Sequence, residues 1–218
     1  MAATSSVHSA SFGEQMSKIT AFPAVTDGDT PGVSGMELPE FLPESTGPQA
    51  VARTFAFLDL CGFTAFTEAQ GAKQAVDLLG DFRTCVRQLA ARRGVRIAKW
   101  LGDGVMLVST DPGPMVAAVS ELMARLDDAP LAVRAGIASG ECLLFEGDDY
   151  IGRPVNLAAR LSDQARPGQV LADGEVALMA PGWVDVVDRG SKRIPGFGRV
   201  HDIREVSMAR GVRLPDAG

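Results

Sequence analysis

Between Thr54 and Ala138 the apolar residues alternate between the spacing of a buried strand and that of an amphipathic helix. That succession limits the possible folds more than any other feature of the chain. Thr54-Phe55-Ala56-Phe57-Leu58 reads as a buried strand, followed by turn residues Cys61-Gly62 and a helix start at Thr64. Ala75, Val76, Leu79, Phe82, Val86 and Leu89 recur every three or four residues, one helical stripe that ends near Arg93-Gly94. Val95 to Lys99 and Val105 to Val108 are two short strands joined through Gly102-Asp103-Gly104. A second stripe, Met115, Val119, Leu122 and Leu126, closes at Asp127-Asp128-Ala129-Pro130, and Leu131 to Ala138 reads as a strand again. The order strand, helix, strand, strand, helix, strand predicts an α+β, ferredoxin-like βαββαβ core. Its antiparallel sheet carries both helices on one face and leaves the other free for a partner.

The flanks differ. Residues 1–50 are rich in Pro, Gly, Ser and Thr and hold six acids against Lys18, too polar a segment to offset its ordering entropy; Phe12, Phe22 and Phe41 are its candidate docking residues. Residues 51–206 form the expected globular unit around a single core, with a helix over Val155 to Gln164, a strand at Gln169 to Ala172 and short strands beyond. Residues 207–218 are a tail. The net charge of −6 argues against non-specific attraction to nucleic acid or anionic membrane, so any phosphate must be gripped locally. Cys61, Cys85 and Cys142 have no metal-ligand spacing, no signal-peptide pattern opens the chain, and no apolar run suits a membrane span. These features together predict a soluble, cytoplasmic protein with structural thiols.

Four places carry chemistry. Asp59 ends a buried apolar run, where a carboxylate is costly unless a cation or donors compensate it. The turn after it, Leu60-Cys61-Gly62-Phe63, feeds a helix whose first amides, near Thr64, form a cradle for phosphate. The alternative is that Asp59 simply caps that helix. Asp103 lies between two glycines at a hairpin tip; Asp103-Gly104 alone would be an ordinary type I′ turn, but its flanking strands would bring it beside Asp59. Two such carboxylates suit Mg2+ or Mn2+, which complete their shells with phosphate oxygens and water. Asn156 and Arg160, four apart on one helix face, could orient a sugar and neutralise a phosphate, or could be an exposed polar face.

Four segments together resemble the class III adenylate and guanylate cyclase family in its bacterial, actinobacterial form. They are Phe57-Leu58-Asp59-Leu60-Cys61-Gly62-Phe63-Thr64, Lys99-Trp100-Leu101-Gly102-Asp103-Gly104, Val133-Arg134-Ala135-Gly136-Ile137-Ala138-Ser139-Gly140 and Asp149 through Leu161. The resemblance spans about residues 52–206. It implies that Asp59 and Asp103, with the backbone of Leu60, bind two Mg2+ or Mn2+ ions per site, and that Lys99 and Asp149 read the base. An ammonium suits adenine N1 and a carboxylate suits its exocyclic amine, which favours ATP over GTP. It further implies that the ribose 3′-oxygen attacks the α-phosphorus and expels pyrophosphate. Arg160 would then steady the α-phosphate, Asn156 would hold the ribose, and a homodimer would share two sites between its subunits. One departure stands out: where the family carries a phosphate-gripping Lys, this chain has Pro195, with Lys192, Arg193 and Arg153 as nearby substitutes. The competing readings are a guanylate cyclase and a non-catalytic nucleotide sensor.

Overall fold

The structure, a computed structural model, describes residues 47–200 and 202–213, so the docking expectation for Phe12, Phe22 and Phe41 lies outside the described residues. The strands are β1 (Gln49–Leu60), β2 (Arg96–Leu101), β3 (Gly104–Ser109), β4 (Val133–Phe145), β5 (Asp149–Ile151), β6 (Val170–Asp173), β7 (Val184–Asp188), β8 (Lys192–Ile194), β9 (Gly198–Val200) and β10 (Ile203–Met208). The helices are α1 (Phe63–Gln70), α2 (Ala72–Arg93), α3 (Pro112–Arg125), α4 (Arg153–Gln164) and α5 (Gly174–Ala177). The main sheet runs β2-β3-β1-β4-β6-β10-β7, with β5 paired to β4, and β8 and β9 form a separate hairpin. All its pairs are antiparallel except β4 with β6. The α+β class and the expected order of core elements are thus present.

The differences from expectation have local causes. β1 begins at Gln49 rather than Thr54 because β4 continues past Ala138 to Phe145 and supplies pairing partners, Gln49 opposite Leu144 through Arg53 opposite Gly140. The sheet therefore claims the last residues assigned to the N-terminal segment, and β10 likewise carries Ser207 and Met208, assigned to the tail. The helical run after Cys61 is two helices broken at Gly71, whose φ of 85° suits glycine and resists a side chain.

Alternation along β1 sends its side chains to two cores rather than one. Ala56, Leu58 and Leu60 join Phe82, Val86, Leu89, Met115, Val119 and Leu122 beneath α2 and α3. Phe55 and Phe57 join Met106, Val108, Ala138, Leu157 and Leu161 on the opposite face. Both core helices share one face as expected, but the other is not left free: α4 lies on it. Its Val155, Leu157, Ala158, Ala159 and Leu161 are buried, so the helix had to find an apolar surface. Gly136 on β4 permits the approach, since a Cβ there would lie 2.2 Å from the Ala158 carbonyl oxygen and from the Ser162 nitrogen. Among the described residues no helix is long and apolar enough to cross a membrane.

Gly136→Ala is expected to lower stability by about 3 kcal/mol, the upper end for overpacking against backbone that cannot rotate aside. Gly80→Ala, in exposed α2 with nothing within 4 Å of the new methyl, should instead raise it by up to about 1 kcal/mol. Urea unfolding of the two variants checks the contrast, and equal effects would refute the proposed close contact.

Candidate active site

The last residues of β1 bring three charged groups together. Asp59 pairs in register with Gly104 of β3 on one side and with Arg134 of β4 on the other. Arg134 therefore projects to the same sheet face as Asp59, and its Nε and Nη2 donate to Asp59 Oδ2 at 3.0 and 2.7 Å. Its Nη1 donates to the Asp163 carbonyl at 3.1 Å, which ties the pair to α4. Burial works against the guanidinium's charge, but the Asp59 hydrogen bond and charge outweigh it and raise the Arg134 pKa. Asp59 does not cap α1, which has no side-chain cap hydrogen bond.

Asp103 arrives beside this pair through a turn different from the one expected. Leu101 pairs with Gly104, so Gly102 and Asp103 are the central residues, and only Gly102 has a positive φ, 65°. That pattern is a II′ turn with glycine first, not the I′ turn centred on Asp103-Gly104. Burial, and then the charge of Asp59, push the Asp103 carboxyl above its usual range. The Cys61 thiol is also raised, by burial first, with Arg134 opposing and Asp59 and Asp103 adding. Cys85 and Cys142 are likewise raised, by burial first, so none of the three carries the lowered pKa that marks a reactive thiolate.

This donor set fits a hard divalent cation. Among the described residues no three His, Cys, Asp or Glu side chains converge. A cation here would therefore rest on two carboxylates and the Leu60 carbonyl, with phosphate and water completing its shell, which is how Mg2+ is commonly held. A half-buried carboxyl already raised by a neighbouring negative charge is one that a cation would stabilise. Next to it, Gly62 enters α1 with φ 80° and no side chain occupies the cap, so the first-turn amides, from Phe63 and exposed Thr64 onward, are open to an anion.

The structure also brings together Lys99 and Asp149, fifty residues apart: the Lys99 ammonium donates to Asp149 Oδ1. Lys99 lies opposite Met106, itself opposite Phe57, which puts it on the same sheet face as Asp59. Asp149 opens β5, opposite Phe145 at the end of the long β4 arm. Both side chains are a little over two-fifths exposed. On α4, Asn156 is exposed, while Arg160 is half-buried and reaches Asp163 Oδ2 at 3.5 Å.

Pro195 lines a pocket of about 260 Å³ with Arg134, Arg160, Asp163 and Gln164. Of the suggested substitutes for a lysine there, Arg153 stacks on the Phe197 ring at 5.0 Å, Lys192 is half-buried, and Arg193 is exposed opposite Arg199. None of these three lines the pocket; its positive charge comes from Arg134 and Arg160. Arg134 is the residue that sequence reasoning missed. The signal was available, since it is a charge inside an apolar strand, the same anomaly that singled out Asp59.

Comparison with known proteins extends these observations. Residues 48–204 match the family described as the adenylate and guanylate cyclase catalytic domain. An uncharacterized Mycobacterium tuberculosis protein is 43% identical over 145 residues, covering 65% of this chain and 37% of its own length. A pH-sensitive adenylate cyclase of Mycobacterium tuberculosis is 40% identical over 132 residues, 59% of this chain and 32% of that protein. The chain thus spans about a third of the length of these curated relatives. The crystal structure of the adenylyl cyclase CyaB from P. aeruginosa matches with a TM-score of 0.66 at 30% identity, over 75% of this chain and 97% of that one.

Proposed function

The chain belongs to the adenylate and guanylate cyclase catalytic-domain family, and on that footing we propose that it converts ATP to 3′,5′-cyclic AMP and pyrophosphate at two sites shared between copies in a homodimer. The observation that carries the reading is the convergence of Asp59 and Asp103 beside the open N-terminus of α1. Relatives named adenylate cyclase, at 34–40% identity, support the choice of reaction.

In this reading Asp59, Asp103 and the Leu60 carbonyl hold two Mg2+ or Mn2+ ions. When bound, these ions acidify the ribose 3′-hydroxyl and neutralise phosphate oxygens. The chain's own residues do the rest. Lys99 donates to adenine N1 and Asp149 accepts from the exocyclic amine; guanine offers a donor at N1 and an acceptor at O6, so it meets both groups the wrong way round. Asn156 orients the ribose so that its 3′-oxygen lies in line with the α-phosphorus. Arg160 stabilises the charge that grows on the α-phosphate as the bond to pyrophosphate breaks. The first amides of α1, from Phe63 and Thr64 behind the Gly62 cap, receive the departing phosphates; the Cys61 amide expected to join them is already committed, donating to the Ala132 carbonyl at 2.8 Å. Arg134, beside Asp59, supplies there the fixed cation that Pro195 cannot. No side-chain base is needed.

Sharing between two copies fits the exposure of the parts. Asn156, Lys99 and Asp149 all reach solvent, where a second copy's acids and nucleotide could meet them. Each subunit would give Asp59 and Asp103 to one site and Lys99, Asp149, Asn156 and Arg160 to the other.

Incubation with Mn2+ is expected to yield cyclic AMP from ATP and no cyclic GMP from GTP. A preference for GTP would overturn the base-reading assignment, and nucleotide binding without either product would favour a sensor. Asp59→Asn and Asp103→Asn should each lower turnover at least about 10²-fold, the scale for one electrostatic contributor. Near-normal turnover in a folded variant would remove the metal assignment. Mixing Asp59→Asn with Arg160→Ala, each inactive alone, should restore about a quarter of wild-type activity. Random pairing makes half the dimers mixed, each with one intact site. An inactive mixture in which heterodimers form would refute the shared site.

A further inference from the structure

We infer that Arg83 of α2 is a positioning residue that fixes the β2–β3 turn and thereby the Asp103 carboxylate. The inference rests on the proposed role of Asp103 but concerns a residue to which that role assigns nothing.

Three contacts define it. Arg83 Nη2 donates to the Gly102 carbonyl at 3.1 Å. Its guanidinium stacks on the Trp100 ring at 5.0 Å, and Arg87, one helical turn on, stacks on the same ring at 5.3 Å. Arg83 Nε is buried with no acceptor. The first contact matters most because of where it lands. Gly102 and Asp103 are the two central residues of the turn, and the carbonyl between them is not used by the β2–β3 ladder. The other side of that peptide is the Asp103 amide, bonded directly to the Cα that bears the carboxylate. A planar peptide transmits any rotation of its carbonyl to its N–H. Arg83 therefore holds one end of a rigid unit whose other end orients the carboxylate.

Packing does not do this job. A side chain at Gly102 would find no atom within 4 Å, so the tip stands clear of its surroundings. Trp100 anchors the β2 end of the turn, and the two arginines clamp that ring to α2. The unpaired Nε argues for more than packing. A buried donor without a partner costs free energy, and an apolar side chain could cover the ring without it. The guanidinium supplies what such a side chain lacks, a hydrogen bond to Gly102.

Arg87 provides the control, since it shares the ring but no hydrogen bond links it to Gly102 among the described residues. Arg83→Met and Arg87→Met would be compared with wild type in the full chain by three readouts. These are hydrogen–deuterium exchange over residues 100–104, Mn2+ affinity measured by electron paramagnetic resonance with 3′-deoxy-ATP, which cannot react, and steady-state kinetics. For Arg83→Met the expectation is faster exchange in the turn, Mn2+ affinity and kcat each lower by about 10-fold, and an unchanged KM for ATP. Arg87→Met should match its loss of melting temperature but keep the Mn2+ affinity. Exchange and Mn2+ affinity unaltered in Arg83→Met would overturn the inference, as would equal losses of affinity in both variants. A wild type that makes no product counts against the proposed function alone, because the exchange readout needs neither metal nor turnover.

Discussion

A carboxylate at the end of a buried strand is the constraint around which the rest of this molecule is arranged. Asp59 continues the row of Phe55 and Phe57, so the alternation that buries those rings also turns it toward the second core. An unpaired charge there would carry a desolvation cost that nothing offsets. Arg134, its register partner on β4, resolves this with two hydrogen bonds to one oxygen, Oδ2. The pair is only partly desolvated, with side-chain exposures of 12% for the acid and 27% for the arginine. It therefore keeps access to a ligand, which a sealed ion pair would not.

The same strand end explains the glycines around it. Gly104 faces Asp59 across β1 and β3 and presents no side chain on that face, and the residue before it, Asp103, feels the Asp59 charge. Gly136, two residues beyond Arg134 on the same face, lets α4 descend until its backbone touches β4. That descent carries the Asp163 carbonyl to Arg134, while Arg160 meets the Asp163 carboxylate within α4 itself. Asp59 and the polar face of α4 are thus linked through Arg134 by a chain of contacts that depends on the missing side chain at Gly136.

How much of this was legible in the sequence follows from how local each signal is. The alternating order of core elements is written in residue spacing, and the structure has it. Asp59 and Asp103 could be singled out because each breaks a local pattern, an apolar run or a glycine-flanked tip. Arg134 breaks a pattern too, but its meaning depends on β4 lying beside β1, a long-range fact. The turn was read one residue out of register because Asp-Gly and Gly-Asp are both good turns, and only the Leu101–Gly104 pairing decides between them. The second face was expected to be open because the apolar stripe of α4 says that it must be buried but not against what. Lys99 and Asp149 carried no local signal, and only the resemblance joined them.

The charges of the site also bear on how an acidic protein could accept a polyanion. Within one chain all the candidate charges but Asp103 are paired with a neighbour of opposite sign: Arg134 with Asp59, Lys99 with Asp149, and Arg160 with Asp163. The local field is therefore near balance although the chain as a whole carries −6. A triphosphate arriving alone would meet the unbalanced carboxyl of Asp103, whose pKa is already raised by burial and by Asp59. Arriving with divalent cations, it brings the compensating charge that Asp103 lacks, and the arginines need only redistribute their contacts. The apparent mismatch between an acidic composition and the proposed anionic substrate would then be resolved at the scale of single contacts, where partial burial makes each charge count for more than its share of the total.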